Sequence, residues 1–239
     1  NIISKTNWMN DGYFIFESAI SDEEYKDFYN STSSAIEKII KKINPRIDLA
    51  NYSLNKYHEF ITSDEDHQRV INLSRNLSNA DLSCDIEKLA DKLSHHIGYK
   101  LSTFIKELKK SHVQIRISRP NSLDINPPHK DSYLSYYENI LNIWLPISGC
   151  NEKTSLPVVP KSHLISEKDI YRTGNQGAII NKNKYMVPCI LKTRQGELNM
   201  IRPNPRYGDA LIFSPSLIHG AAFNLSNETR VSLELRFTR

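Results

Sequence analysis

Close to residue 110 the spacing of apolar residues changes from the 3.6-residue period of a helix to the two-residue period of a strand. The chain must therefore build a helical part and a β part, in that order. In the first part, Ser21-Asp22-Glu23-Glu24 has the form of a capping box: the Ser21 hydroxyl can accept from an early backbone N–H while Glu24 reaches back to the cap. A helix is expected from Glu23 towards Ile43, where Asn44-Pro45 stops it, with Tyr25, Phe28, Ala35, Ile36, Ile39 and Ile40 partly following helical spacing. A second helical region is expected over 81–108, with Leu82, Ile86, Leu89, Ala90, Leu93 and Ile97 on one stripe before Gly98 interrupts it. Residues 51–79 are polar and carry no clear period, so no element is assigned to them.

After the change, Val113, Ile115 and Ile117 alternate with polar residues across 112–118, as in a half-buried strand. Further strands are expected at 140–147, 156–159, 187–192, 209–213, 218–223 and 230–237. Short strands with no helices between them predict a sandwich or barrel and not a parallel α/β sheet. With 239 residues the chain suits a single domain: a mainly helical buttress over 1–110 and a β-barrel core over 111–239.

Hydrophobic residues at 39% suffice for a packed core, and charged residues at 24% are too few for a disordered chain. The net charge of +4 is spread along the sequence apart from short groups such as Lys41-Lys42 and Lys109-Lys110. No basic stripe with interleaved aromatics stands out, so nucleic acid is not an expected partner, whereas a small anionic substrate suits the charge. Cys84, Cys150 and Cys189 are widely spaced and form no CxxC pair, so reduced, buried thiols are expected. No run approaches the roughly 20 apolar residues that span a bilayer, and residues 1–5 lack the order of a signal peptide. A cytoplasmic protein with no membrane partner is the expectation; oligomeric state is left open.

The residues that carry chemistry lie in the β part. His129 and Asp131 are two apart, and in extended chain such positions project from one face, so both can reach one metal. His219 offers a third ligand, completing the two-His, one-carboxylate facial triad of non-haem iron(II) oxygenases. Arg230 follows eleven residues after His219, beyond the turn-forming residues 224–228, and a hairpin there would set it opposite His219, facing the metal cavity. Ser232 shares its face, and an Arg-x-Ser pair suits the grip of a carboxylate. The alternative for Arg230 is a surface strand residue paired with Glu228 or Glu234.

Asp11-Gly12-Tyr13-Phe14-Ile15-Phe16 followed by Ile20-Ser21-Asp22-Glu23-Glu24, then Pro128-His129-Lys130-Asp131, then Trp144-Leu145-Pro146-Ile147, then 156–163 with its Pro160-Lys161-Ser162-His163 turn, and finally 208–213 leading to His219-Gly220 and Arg230, resemble in order the phytanoyl-CoA dioxygenase-like branch of the iron(II)/2-oxoglutarate oxygenases. Lys161 departs from the pattern, which has Gly there. The resemblance implies an α+β, mainly β protein: a double-stranded β-helix, that is, a jelly-roll or cupin-like barrel, buttressed by N-terminal helices. It implies Fe(II) on His129, Asp131 and His219, 2-oxoglutarate held by Arg230 and Ser232, and O2 as oxidant. The implied reaction is hydroxylation with release of succinate and CO2; the basic loop at 202–206 and the polar face of 112–118 favour a small polar or anionic metabolite, such as a sugar conjugate or amino-acid derivative, as its substrate. Asp131 argues against the halogenating relatives, in which a small residue replaces the carboxylate.

Gln114 and Asn142 are candidate co-substrate contacts, though Gln114 equally suits a solvated strand face, and Trp144 suits the core. Arg116, Arg202 and Arg206 are candidate substrate contacts; the last two lie on a Pro-rich loop, where Arg is also commonly just exposed. His95, His96 and His163 are read as structural. Two other function classes are open: a cupin-like metal-dependent isomerase or lyase, which needs no keto acid, and a non-catalytic jelly-roll binding protein.

Overall fold

The computed structural model describes residues 8–83, 85–174, 177–180 and 183–238. Residues 1–5 and Cys84, read above for a signal peptide and as a thiol, lie outside the described residues, and Cys150 and Cys189 are free thiols. The helices are α1 (Trp8–Asp11), α2 (Asp22–Ile43), α3 (Tyr57–Phe60), α4 (Asp64–Ser74) and α5 (Ile86–Ile97). The strands are β1 (Tyr13–Phe16), β2 (Phe104–Ile105), β3 (Lys110–Ser118), β4 (Ile140–Ser148), β5 (Ile170–Arg172), β6 (Ala178–Ile180), β7 (Asn183–Tyr185), β8 (Ile190–Thr193), β9 (Ala210–Phe213) and β10 (Arg230–Thr238). No helix among the described residues is long and apolar enough to cross a membrane.

The capping box forms as its sequence implies: Glu24 N donates to Ser21 Oγ at 3.2 Å and Ser21 N to Glu24 Oε2 at 2.7 Å. Phe28, Ala35, Ile36, Ile39 and Ile40 form the buried stripe of α2. The second helix is shorter than the expected 81–108. It begins where the Asp85 side chain accepts from Lys88 N at 2.9 Å, and it ends where Gly98 turns left-handed at φ 71°. Beyond Gly98 the chain turns into β2. The stretch 51–79, left unassigned above, holds α3 and α4; Ser63 caps α4 by accepting from Asp66 N at 3.1 Å.

The main layer is a six-stranded sheet ordered β1-β9-β4-β10-β3-β2, with antiparallel neighbours throughout. The two-residue period sorts its residues into two faces. Ile115 and Ile117 of β3, Ile143, Leu145 and Ile147 of β4, and Val231, Leu233, Leu235 and Phe237 of β10 are buried in one cluster with the apolar faces of α2, α4 and α5. The opposite face carries His112, Gln114, Arg116 and Ser118, opposite Arg236, Glu234, Ser232 and Arg230 in register. The helices thus cover the apolar face and leave the polar one to a cavity.

The second layer of the double-stranded β-helix is built from short pieces. β5 pairs with β8; Ile190 N donates to Pro128 O at 2.7 Å; His129 bridges His219, His219 bridges Val158, and Val158 bridges Ile201. The strands expected at 156–159 and 218–223 are therefore single bridges. Pro157 and Pro160 lack the N–H that a longer ladder needs, and Gly220 (φ 114°) and Ala221 (φ 50°) leave the extended region just after His219. A Cβ on Gly220 would stand 2.6 Å from Pro127 O, so the residue after the histidine has to be glycine for the two segments to approach.

Candidate metal centre

The two bridging segments bring the histidines together. His129 N donates to His219 O at 2.9 Å and His219 N to His129 O at 3.0 Å, which leaves the rings 4.3 Å apart between centroids. Each ring is locked by a carbonyl two residues before it: His129 Nδ1 lies 2.7 Å from Pro127 O and His219 Nδ1 2.9 Å from Leu217 O. A carbonyl only accepts, so the hydrogen sits on Nδ1 in both rings and the Nε2 lone pairs are left for a ligand. Lys130 between His129 and Asp131 is extended, and Asp131 Oδ1 comes to 3.5 Å from His129 Nε2 and 3.9 Å from His219 Nε2. These separations are too long for hydrogen bonds, and all three ligand atoms lie within 4.8 Å of one another. All three residues are buried.

The electrostatics favour a cation there. Burial, and then His129, push His219 down to about 4, so its ring is neutral and able to ligate near neutral pH. Burial alone would raise the Asp131 carboxyl, but the Arg236 guanidinium and the two imidazoles hold it well below the usual carboxylate range. Arg236 Nη2 meets Asp131 Oδ2 at 3.1 Å and Glu234 Oε2 at 3.6 Å, and Arg116 Nη2 meets Glu234 Oε2 at 2.8 Å. Burial opposes the Glu234 charge, yet the two guanidiniums pull that carboxyl down to about 2.

Arg230 has no such partner. It is 4% exposed, its Nη1 donates to the Ser232 hydroxyl at 2.8 Å, and its Nε has no hydrogen-bond partner. Among the described residues no carboxylate forms an ion pair with it, and with His129, His219 and Trp144 it lines a cavity of about 380 Å³. An unpaired buried guanidinium is costly unless an anion reaches it.

The hairpin expected to set Arg230 opposite His219 is not what forms. Asn224 Nδ2 donates to Ser118 O (2.8 Å) and to Glu228 O (2.7 Å), which steers the chain into the main sheet, so Arg230 pairs with Ser118 while His219 stays in the second layer. The two face one cavity from opposite layers.

The other expected contacts divide. Arg116 lines both the 380 Å³ cavity and a neighbouring one of about 860 Å³; Gln114 lines only the larger one, beside Asp131. Ser232 is fully buried beneath Arg230 and Asn142 is buried on β4 with its Nδ2 unpartnered; neither is part of the lining of these cavities. Trp144 is fully buried and walls the smaller cavity. Arg202 and Arg206 lie outside both. Arg202 donates to Ser155 O (2.6 Å) and Phe223 O (2.7 Å), fastening two segments together, and Arg206 pairs with Asp209 at 3.1 Å on the surface. His95 and His163 are hydrogen-bonded to backbone carbonyls and His96 packs on Phe16, all away from the triad. The sequence reading missed Arg236, Glu234, His112 and Tyr137. The alternation Arg230-x-Ser232-x-Glu234-x-Arg236 along one strand was the available signal for two of them.

A two-His, one-carboxylate set with open positions is the facial triad of non-haem iron(II) oxygenases, and His129, Asp131 and His219 are a candidate set of that kind. The sequence profile described as Phytanoyl-CoA dioxygenase (PhyH) matches residues 8–232. The chain belongs to the phytanoyl-CoA dioxygenase family, whose members are oxygenases of that class.

Among curated proteins no sequence matches the chain. Solved structures align over nearly all of it. The epimerase SnoN, in complex with Fe3+, alpha ketoglutarate and nogalamycin RO, is 16% identical, with 97% of this chain and 80% of that one covered at a TM-score of 0.52. The non-heme alpha ketoglutarate dependent carbocyclase SnoK from nogalamycin biosynthesis is 13% identical, covering 97% and 81% at 0.52. EctD from S. alaskensis, with 2-oxoglutarate and 5-hydroxyectoine, is 12% identical, covering 97% and 73% at 0.53. At these identities the likeness establishes the shared fold.

Proposed function

We propose that the chain is an iron(II)- and 2-oxoglutarate-dependent dioxygenase that hydroxylates a small polar or anionic molecule. The observation that carries this is the unpaired Arg230 guanidinium sharing one cavity with the imidazoles of His129 and His219, while Asp131, whose Oδ1 lies 3.5 and 3.9 Å from their Nε2 atoms, faces the neighbouring cavity. His129 Nε2, His219 Nε2 and Asp131 Oδ1 would hold the metal. Arg230, oriented by Ser232, would hold the distal carboxylate of the keto acid, with Trp144 walling the cavity beside it. When bound, iron and 2-oxoglutarate supply the oxidising chemistry, which converts substrate, O2 and the keto acid into hydroxylated product, succinate and CO2.

The protein's own work is to orient and enclose. The Nδ1–H bonds to Pro127 and Leu217 keep both imidazoles in the ligating tautomer. Burial of the triad keeps bulk water away. The substrate would enter through the larger cavity, where Arg116 and Arg236 are balanced by Glu234 and Asp131 and the exposed Arg75 and Lys110 are left in excess among the described residues. That imbalance supports an anionic or strongly polar substrate, with Arg75 and Lys110 as contacts beside Arg116 in place of Arg202 and Arg206. An isomerase or lyase, or a non-catalytic jelly roll, leaves Arg230 without a purpose.

Incubating the chain with Fe(II), 2-oxoglutarate, labelled O2 and candidate polar and anionic metabolites, followed by mass spectrometry, tests the reading. Succinate should form, and one labelled oxygen should enter the product. His129→Ala and Asp131→Ala should each abolish succinate formation; wild-type rates in either variant would refute the assignment.

A further inference from the structure

On the polar face of the main sheet, two buried groups, Arg236 on β10 and Tyr137 just before β4, meet two partly buried ones, His112 on β3 and Glu234 on β10. Arg236 is the hub. It is 5% exposed, and its guanidinium lies 4.5 Å from the centre of the Tyr137 ring. Nη2 meets Asp131 Oδ2, while Asp131 Oδ1 faces the two imidazoles, so the two carboxylate oxygens have separate duties. Nη1 donates to His112 Nε2.

That last contact fixes the direction of a chain of hydrogen bonds. A guanidinium has only hydrogens to offer, so His112 Nε2 must accept and the single hydrogen of the neutral ring must sit on Nδ1. His112 Nδ1 lies 3.2 Å from the Tyr137 hydroxyl, which therefore accepts. The hydroxyl's own hydrogen is left over, with no acceptor for it among the described residues. His112 and Tyr137 both line the larger cavity together with Asp131. Burial, and then Arg236, hold the His112 ring neutral by pushing it down to about 3, and burial raises the Tyr137 phenol, which keeps its hydrogen in place.

We infer that Arg236 is a positioning residue that reserves one oxygen of Asp131 for the metal and, through His112, leaves Tyr137 as a hydrogen donor to the substrate. The substrate class that fits carries an acceptor oxygen, such as a carboxylate or phosphate, against this wall. That Tyr137 meets a substrate rests on the oxygenase reading; the wiring from Asp131 to Tyr137 does not.

Three measurements on the full chain test it. Co(II) serves as the metal probe in the first: Arg236→Met should weaken Co(II) binding about 10- to 100-fold and alter its visible spectrum, with Arg236→Lys restoring much of both. Equal affinity and an unchanged spectrum in the Met variant would overturn the positioning role. The second needs no variant, so it stands even if the Met chain fails to fold. Long-range 1H–15N correlation on the Zn(II)-loaded, 15N-labelled chain should find His112 as the Nδ1–H tautomer; the Nε2–H tautomer or an imidazolium near neutral pH would break the chain. In the third, inorganic phosphate is titrated onto the Zn(II)-loaded chain with 2-oxoglutarate saturating, so that Arg230 is occupied. Tyr137→Phe should weaken phosphate binding about tenfold, and equal affinity, or no phosphate binding to the wild type, would remove the donor assignment. Failure of the wild type to bind Co(II) or 2-oxoglutarate at all would instead sink the oxygenase reading, leaving the tautomer result to judge the wiring alone.

Discussion

Arg230 keeps a buried positive charge with only the Ser232 hydroxyl, among the described residues, to meet it, and this is where the site is most sensitive to a single change. A charge-assisted bond to a carboxylate is worth about 1.5–3 kcal/mol. Arg230→Ala should therefore raise the KM for 2-oxoglutarate about 10- to 100-fold in a succinate-release assay, and Arg230→Lys should recover part of it. An unchanged KM in the Ala variant would show that the anion is held elsewhere. The triad itself was legible because His129-x-Asp131 and His219 are the right residue types at the right spacing. Arg236 was not, because a strand Arg next to Glu234 reads as a surface pair. Only its burial against Asp131, across a hundred residues of sequence, shows otherwise.

At the level of elements, the parts dictated by local chemistry were the readable ones. The Ser21 box started α2, alternation placed β3, and the strands expected at 140–147, 209–213 and 230–237 match β4, β9 and β10 within a residue or two of their ends. The second layer was not readable as strands, because its bridges at Val158 and His219 are held by neighbours distant in sequence and are cut short by prolines and positive-φ residues. The Lys161 departure noted in the sequence has a structural consequence. Lys161 sits at φ 66°, the left-handed region that glycine enters without strain, while its N–H donates to Asp11 O at 3.0 Å. Lys161→Gly should keep that bond and relieve about 1 kcal/mol of strain. The melting temperature should rise by about 2–4 °C, and a fall on calorimetry would mean that the Lys161 side chain is itself stabilising.

For the molecule as a whole, acid should be the weakness. His67 is packed against Tyr57 and Asp124, and burial pushes it down to about 4; His112 goes down to about 3. As pH falls below about 6.5 the unfolded chain takes up protons that the native rings refuse, so stability is present above that value and is lost towards pH 4 and then pH 3. The loss from His67 alone is about 3 kcal/mol. Urea denaturation should show the midpoint sliding down across that window, and a flat profile from pH 7 to pH 4 would contradict the burial of these histidines. The odd and even positions of β10 serve opposite masters: Val231, Leu233, Leu235 and Phe237 anchor the helices, while Arg230, Glu234 and Arg236 furnish the cavity and Ser232 supports Arg230. Sliding this strand by a single residue would thrust three ionised side chains into oil and strand four hydrocarbons beside the His129, Asp131, His219 cluster. A copy that has reached its native hydrophobic interior has, by the same act, already aligned its chemical equipment.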